Sequence, residues 1–248
     1  MTYNTNKKKL IRNRMKATGE SYLLAARKLA LLNQPLPTPW LELNTLLKGG
    51  LRGGGLYTVA SYPAVGKSLV GMELASSVGS HALVFSLEMK RDEYFQRFTA
   101  MEEPLSRVTF FDDIYELETL IEISRIACDN KEISLIVVDY LQLLNIKTPN
   151  LTHQTYLGNI TRELAKLSFE LKVPIVVLSQ LNCTPEGVPI GLSNLRDSGS
   201  LEQDSQAVVL LERDSTELKF TLMKNRVGAT GEFKKTLLNE YPFFSIQS

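Results

Sequence analysis

The chain has 248 residues, 44% of them hydrophobic and 22% charged, with a formal net charge of +1. That length suits one sizeable α/β domain with an ordinary apolar core. The near-zero charge excludes a global attraction to nucleic acid, so any such binding must come from a local surface.

Two cysteines, Cys128 and Cys183, provide neither a disulfide framework nor a metal-ligand spacing, which fits a reducing compartment. Cys128 shares an apolar helical stripe with Ile114, Leu117 and Ile121 and reads as a core thiol, whereas Cys183 falls in a loop. His81 and His153 are isolated and read as structural or exposed. No apolar run approaches the roughly 20 residues of a membrane-spanning helix, and the first residues lack the apolar core of a signal peptide. A cytoplasmic location without a membrane partner is the expectation.

Residues 1–35 read as a basic helical appendage and linker. Lys7, Lys8, Lys9, Arg12, Arg14 and Lys16 make a basic stretch, either a phosphate contact or a solvated arm. Thr18-Gly19-Glu20-Ser21 is a break with Ser21 as N-cap, and Tyr22 to Leu32 follows as an Ala- and Leu-rich helix. The joint Gln34-Pro35-Leu36-Pro37-Thr38-Pro39 then leads into the main domain, taken as residues 36–248.

Leu56 to Ala60 suits a buried strand, and Leu69, Val70, Leu74, Ala75 and Val78 recur at helical spacing. Between them lies Ser61-Tyr62-Pro63-Ala64-Val65-Gly66-Lys67-Ser68, a phosphate-binding loop with serine in place of its first glycine. Backbone N–H groups from Ser61 to Leu69, including those of Ala64, Val65 and Gly66, would cradle phosphates at the helix N-terminus. Lys67 would neutralise the β- and γ-phosphates, and the Ser68 hydroxyl would ligate Mg²⁺. Ser61 and Pro63 are expected to reshape the loop's entry, since Pro fixes φ and a non-glycine resists positive φ.

Ala82 to Leu87 and Val108 to Phe111 are further strand candidates. A helix is expected from about Ile114 to Asn130, capped by Asp113. Leu135 to Val138 is an apolar strand ending at Asp139. Leu157, Ile160, Leu164, Leu167 and Leu171 trace one helical face up to Pro174, and Ile175 to Leu178 is the next strand. Such alternation implies a mostly parallel sheet with both faces covered. Ala207–Glu212, Leu218–Lys224 and Glu232–Leu238 then read as an antiparallel extension at one edge. In sheets of this kind ligands bind beyond the carboxyl ends of the strands. Asp139 there would orient Mg²⁺, Glu88 would polarise an attacking water, and Gln180 would sense the γ-phosphate.

Together these residues resemble the motor domain of the DnaB-type hexameric replicative helicases, among the RecA-like ATPases. The resemblance starts at Thr38-Pro39-Trp40 and Gly49-Gly50-Leu51 and continues through Phe85-Ser86-Leu87-Glu88-Met89, with Arg97 downstream. Asp112-Asp113, Val137-Val138-Asp139-Tyr140-Leu141-Gln142-Leu143-Leu144 and Leu178-Ser179-Gln180-Leu181-Asn182 follow in order. Leu195-Arg196-Asp197-Ser198-Gly199-Ser200-Leu201-Glu202-Gln203-Asp204 is the longest match, and Lys224-Asn225-Arg226 with Gly228 and Thr230-Gly231 is the last.

The resemblance implies a RecA-like three-layer α/β fold and an ATP- and Mg²⁺-dependent motor acting on single-stranded DNA as a hexameric ring. On these positions Glu88 is the catalytic base, Asp139 the Mg²⁺-linked acid and Gln180 the coupling residue. Lys224 and Arg226 become fingers on a neighbouring subunit's γ-phosphate. The loop around Arg196, Asp197 and Gly199 lines the channel and follows DNA phosphates. The chain departs from the pattern at Ser61 and Pro63-Ala64-Val65, and at Cys183, where the family has a basic residue. Two alternatives remain open at this point. One is a DNA-stimulated ATPase that loads or remodels a replication or recombination protein. The other is a nucleotide-gated scaffold that lost catalysis with its glycine and binds a partner through residues 1–35.

Overall fold

The computed structural model describes residues 8–9, 11–13, 15–16, 19, 22, 34–97, 105–146, 153–182, 190–238 and 244. Contacts divide the chain into Met1–Pro35 and Leu36–Ser248. In the first unit the described residues of 8–16 and Tyr22 are helical. The N–H of Gly19 bonds the Met15 carbonyl at a φ of 71°, so the chain turns at the expected break. The rest of the Tyr22–Leu32 helix, Ser21 and Cys183 lie outside the described residues.

The second unit is built on one eight-stranded sheet. Its strands are β1 (Leu56–Ser61), β2 (His81–Ser86), β3 (Val108–Phe111), β4 (Ile133–Asp139), β5 (Ile175–Gln180), β6 (Ala207–Asp214), β7 (Glu217–Asn225) and β8 (Gly231–Thr236). They lie in the order β3-β2-β4-β5-β1-β6-β7-β8. β1 to β6 are parallel, and β7 and β8 are antiparallel at one edge. The expected extension is therefore present, with β8 starting at Gly231 and Leu237 bridging Phe244.

The described residues of this unit include the α-helices α1 (Leu41–Leu46), α2 (Lys67–Ser77), α3 (Arg91–Arg97), α4 (Leu117–Asn130), α5 (His153–Leu171) and α6 (Gly199–Asp204). Strand alternation divides the apolar side chains between two layers. Val59, Val84, Val137, Val176 and Val209 face one way, packing with Trp40 and Leu43 of the α1 segment and Val70 and Leu74 of α2. Ala60, Leu83, Ile136, Val177 and Leu210 face the other way, meeting Leu120 of α4 and Leu157, Ile160, Leu164 and Leu167 of α5. Removing one such side chain, as in Leu164→Ala, would cost about 2–5 kcal/mol. Gly71 lets α2 settle onto the sheet, since a Cβ there would stand 2.9 Å from the Leu178 side chain. Trp40 fixes the antiparallel edge, its ring centroid 5.0 Å from that of Phe220, which stacks on Phe233 at 4.7 Å.

Two local expectations are corrected. The helix after β3 begins at Leu117 instead of Ile114, and Asp113 is not its cap. The chain stays extended because Tyr115 and Leu117 exchange backbone bonds with Asn145, so tertiary pairing overrides helical periodicity. The segment expected as a loop around Arg196, Asp197 and Gly199 is helical: a 3-10 helix over Leu192–Ser198 runs into α6. Leu195 and Leu201 are buried in the second layer and hold it there. Cys128 is half-buried against that layer, and burial pushes its thiol up to about 11.

Candidate active site

Ser61 is the last residue of β1, fully buried and paired in register with Gln180. Its carbonyl accepts the Leu181 N–H at 3.0 Å, and its hydroxyl donates to the Tyr62 carbonyl at 2.7 Å. Left-handed backbone occurs instead at Ala64, with φ 60°, and Gly66, with φ 129°. The conformational conflict expected at Ser61 is thus absent, because pairing with β5 keeps that residue in the sheet. Gly66 precedes α2 and gives it no side-chain cap, leaving first-turn N–H groups directed at the loop. A Cβ built on Gly66 would meet nothing within 4 Å, so it is the left-handed backbone, not crowding, that favours glycine there. Ala64 is exposed, while Val65 and Leu69 are half-buried against the core and anchor the loop. The Tyr94 hydroxyl of α3 donates to the Ser68 carbonyl at 2.9 Å and braces the start of α2.

Parallel register brings the other predicted groups to the same edge. Ser86 of β2 lies beside Asp139 of β4, and Ser61 beside Gln180. Glu88, two residues past β2, is exposed. Lys67 is 7% exposed, and burial lowers its pKa against the opposing charges of Asp139 and then Glu88. Asp139 is fully buried, and its carboxyl is pushed up to about 6, chiefly by burial. The Ser68 hydroxyl favours the ionised form, Glu88 opposes it and Lys67 favours it. Ser68 stands close without satisfying hydrogen-bond geometry, and among the described residues both buried Asp139 oxygens find no donor.

Two buried oxygens without donors, beside a hydroxyl and an ammonium, fit a divalent cation bound with a phosphate. Among the described residues no three His, Cys, Asp or Glu side chains cluster to cage a metal. A Mg²⁺ held by Asp139 and Ser68 would share its coordination with phosphate and water, as that ion prefers.

Two amides that the sequence reading gave no role bind this edge together. Gln142 donates to the Ser179 hydroxyl at 2.9 Å and the Gln180 carbonyl at 3.0 Å, tying the segment after Asp139 to the end of β5. Asn194 is 5% exposed and accepts the Gly191 N–H at 2.8 Å. Its own carbonyl accepts the Asn182 N–H at 3.2 Å, so the β5 end is bonded to the 192–198 segment. For Gln142 a polar residue inside a motif was the available signal; Asn194 lies outside the quoted motifs, and neither bond has a sequence periodicity that announces it.

Lys224 and Arg226 lie elsewhere. Asn225 pairs with Ala207, which pairs with Tyr57 at the start of β1. The phosphate loop begins after Ser61, four residues or about 13 Å further along the strand. The two cations therefore sit beyond the opposite end of the sheet from their own phosphate loop. Lys224 donates to the carbonyls of Glu202 and Gln203, and Arg226 to that of Gln203, at the last turn of α6. Burial and then the Arg226 charge lower the Lys224 pKa, against Glu202 and Asp204. Of the predicted DNA-contacting residues, Arg196 and Asp197 fall on the 3-10 helix and Gly199 opens α6.

The family model of the DnaB-like helicase C terminal domain matches residues 35–110 and 105–245. A replicative DNA helicase DnaB of Leifsonia xyli is 32% identical over 85% of this chain and 55% of its own length. A probable plasmid replicative DNA helicase of Chlamydia muridarum is 28% identical over 78% of this chain and 51% of its own. The chain thus spans about half the length of these curated relatives. One solved ATPase domain superposes with a TM-score of 0.79 at 22% identity, covering 87% of this chain and 92% of that one. A DnaB-like replicative helicase solved in a study of its interactions with primase gives 0.77 at 20% identity, over 94% of this chain and 64% of that one. The mixed sheet with its antiparallel edge is thus a RecA-like fold, and the chain belongs to the DnaB-like helicase C-terminal domain family.

Proposed function

We propose that this chain is a Mg²⁺-dependent ATPase that assembles into a hexameric ring on single-stranded DNA and drives translocation or unwinding during replication. One observation carries the reading. Lys67, Ser68, Glu88, Asp139 and Gln180 converge at one sheet edge, where buried Asp139 oxygens have no donor among the described residues.

In this reading Lys67 and the loop N–H groups, from Ala64 through Leu69, hold the β- and γ-phosphates. Asp139 and Ser68 would hold Mg²⁺, which when bound neutralises charge developing on the transferred phosphoryl group. Glu88, exposed beside Lys67, takes the proton of the attacking water. Gln180 bonds the γ-phosphate and transmits its presence through the bond between Asn182 and Asn194 to the 192–204 segment. Arg196, Asp197 and Gly199 there would follow the DNA backbone without reading bases. Lys224 and Arg226 complete the site of the adjacent subunit. We assign the basic unit of residues 1–35 to contact with another replication protein. The scaffold alternative supposes that Ser61 cost the chain its catalysis, and the strand conformation of that residue counts against this supposition.

The test is ATP turnover with and without single-stranded DNA, measured alongside mass in solution by light scattering, and strand displacement on a forked duplex. DNA-stimulated turnover is expected from the assembled form alone. Full turnover by a monomer would overturn the ring reading. DNA-stimulated turnover without strand displacement would favour the loader or remodeller.

A further inference from the structure

The Lys224-Asn225-Arg226 element points its side chains alternately, as the end of a strand must. Lys224 and Arg226 reach the carbonyls of α6, while the Asn225 side chain turns away toward α1. Its Nδ2 donates to the Leu46 carbonyl at 2.9 Å and to the Ala229 carbonyl at 2.8 Å. Its Oδ1 accepts the Val227 N–H at 3.1 Å. One amide thus closes the turn after β7 upon itself and pins it to the last residue of α1. The following turn is pressed onto the same carbonyl: a Cβ on Gly228 would stand 2.3 Å from the Leu46 oxygen and 3.0 Å from Asn225 Nδ2. Gly228 is therefore needed for close approach to α1.

We propose that Asn225 is a positioning residue for the two finger cations, holding their strand end against α1 so that Lys224 and Arg226 present to a second copy of the chain. The proposal rests on the reading of Lys224 and Arg226 as groups acting in a neighbour's site. Asn225→Asp keeps the acceptor for Val227 but removes both donated bonds and sets a carboxylate against two carbonyl oxygens. Misplacement of a reacting group by about 1 Å can cost about 10²-fold in rate. The chain's own phosphate loop, at the far end of the sheet, is untouched by the change, so ATP affinity should hold.

The experiment compares the full chain with Asn225→Asp and Gly228→Ala, on single-stranded DNA and Mg²⁺-ATP. Each variant is expected to lower kcat by about 10- to 100-fold with KM for ATP within about twofold of wild type. Each is also mixed with Lys67→Ala before assembly. That partner lacks its own phosphate lysine but carries intact fingers, so some interfaces of the mixed rings regain a complete site. Turnover is expected to rise well above the sum of the two variants. Arg226→Ala mixed with Lys67→Ala is the reference. If this reference pair fails to recover, the finger reading itself falls. If it recovers while Asn225→Asp either hydrolyses at the wild-type rate or stays unrescued, the finger reading survives and the positioning role is overturned. Gly228→Ala behaving as wild type would likewise show that the pressed contact with α1 does not position the fingers.

Discussion

The two ends of the parallel sheet carry opposite kinds of polar chemistry. At the carboxyl edge polar groups are buried with protein partners missing: both Asp139 oxygens lack a donor among the described residues, and burial lowers the pKa of Lys67. At the other end Lys224 and Arg226 are already bonded to carbonyls of α6. An edge left incomplete is shaped for a ligand, since an unpaired buried polar group costs about 1–3 kcal/mol until something pairs it. An edge complete in the single chain can act on phosphate only by exchanging its internal partners. In the proposed ring, the first edge would receive the phosphates and the second would be the one offered to a neighbour.

The strongest way to break that contrast is Arg226→Ala. If this cation completes a second subunit's site, turnover should fall by about 10³-fold or more while ATP affinity stays near wild type. Single-turnover hydrolysis together with nucleotide titration would measure both, and unchanged hydrolysis would reduce Arg226 to a helix cap. Glu88→Gln tests the receiving edge, with an expected loss of about 10²–10⁴ in rate and retained binding. Retained turnover there would remove Glu88 from proton transfer.

Asp139 sharpens the comparison through pH. Its carboxyl is raised from 3.8 to about 6 in the fold, so the neutral form is favoured there. The stabilisation from this proton is fully present below 3.8 and is lost as pH rises through about 6, amounting to about 3 kcal/mol. Denaturant midpoints of the nucleotide-free protein should lose that contribution over this window. Asp139→Asn should flatten this part of the profile. Mg²⁺ with ATP should stabilise the wild type above about pH 6, where the carboxylate is ionised, and progressively less below it. A Mg²⁺ effect equal at about pH 5 and about pH 8 would detach Asp139 from the metal.

Ser61→Gly gives the smallest effect and separates loop from strand. Because Ser61 ends β1 in extended backbone, glycine should destabilise by about 0.5–1 kcal/mol, read as a lower denaturation midpoint. A gain in stability would mean that serine strains the loop after all.

Much of the receiving edge was legible because its residues follow apolar strand runs directly. Leu135 to Val138 announces a buried strand, and register then brings Asp139 beside Ser86. The Leu157–Leu167 stripe likewise announces α5. Helix α1 was missed because six residues are too few for periodicity to speak, and 192–204 because its two anchors, Leu195 and Leu201, stand among polar neighbours. Asp113 misled because its cap-like chemistry lost to pairing of Tyr115 and Leu117 with Asn145.

The alternation of strands and helices, the Gly66-Lys67-Ser68 helix start and the acidic strand end at Asp139 were all readable from the residues alone. These follow from local periodicity and from residue types whose chemistry is fixed by covalent structure. It took the folded chain to show that Ser61 stays in the sheet, that Asp139 lacks a donor among the described residues and that Lys224 and Arg226 lie at the far end from their own phosphate loop. Register between strands distant in sequence and burial by distant helices set those properties, and neither is encoded in any local window.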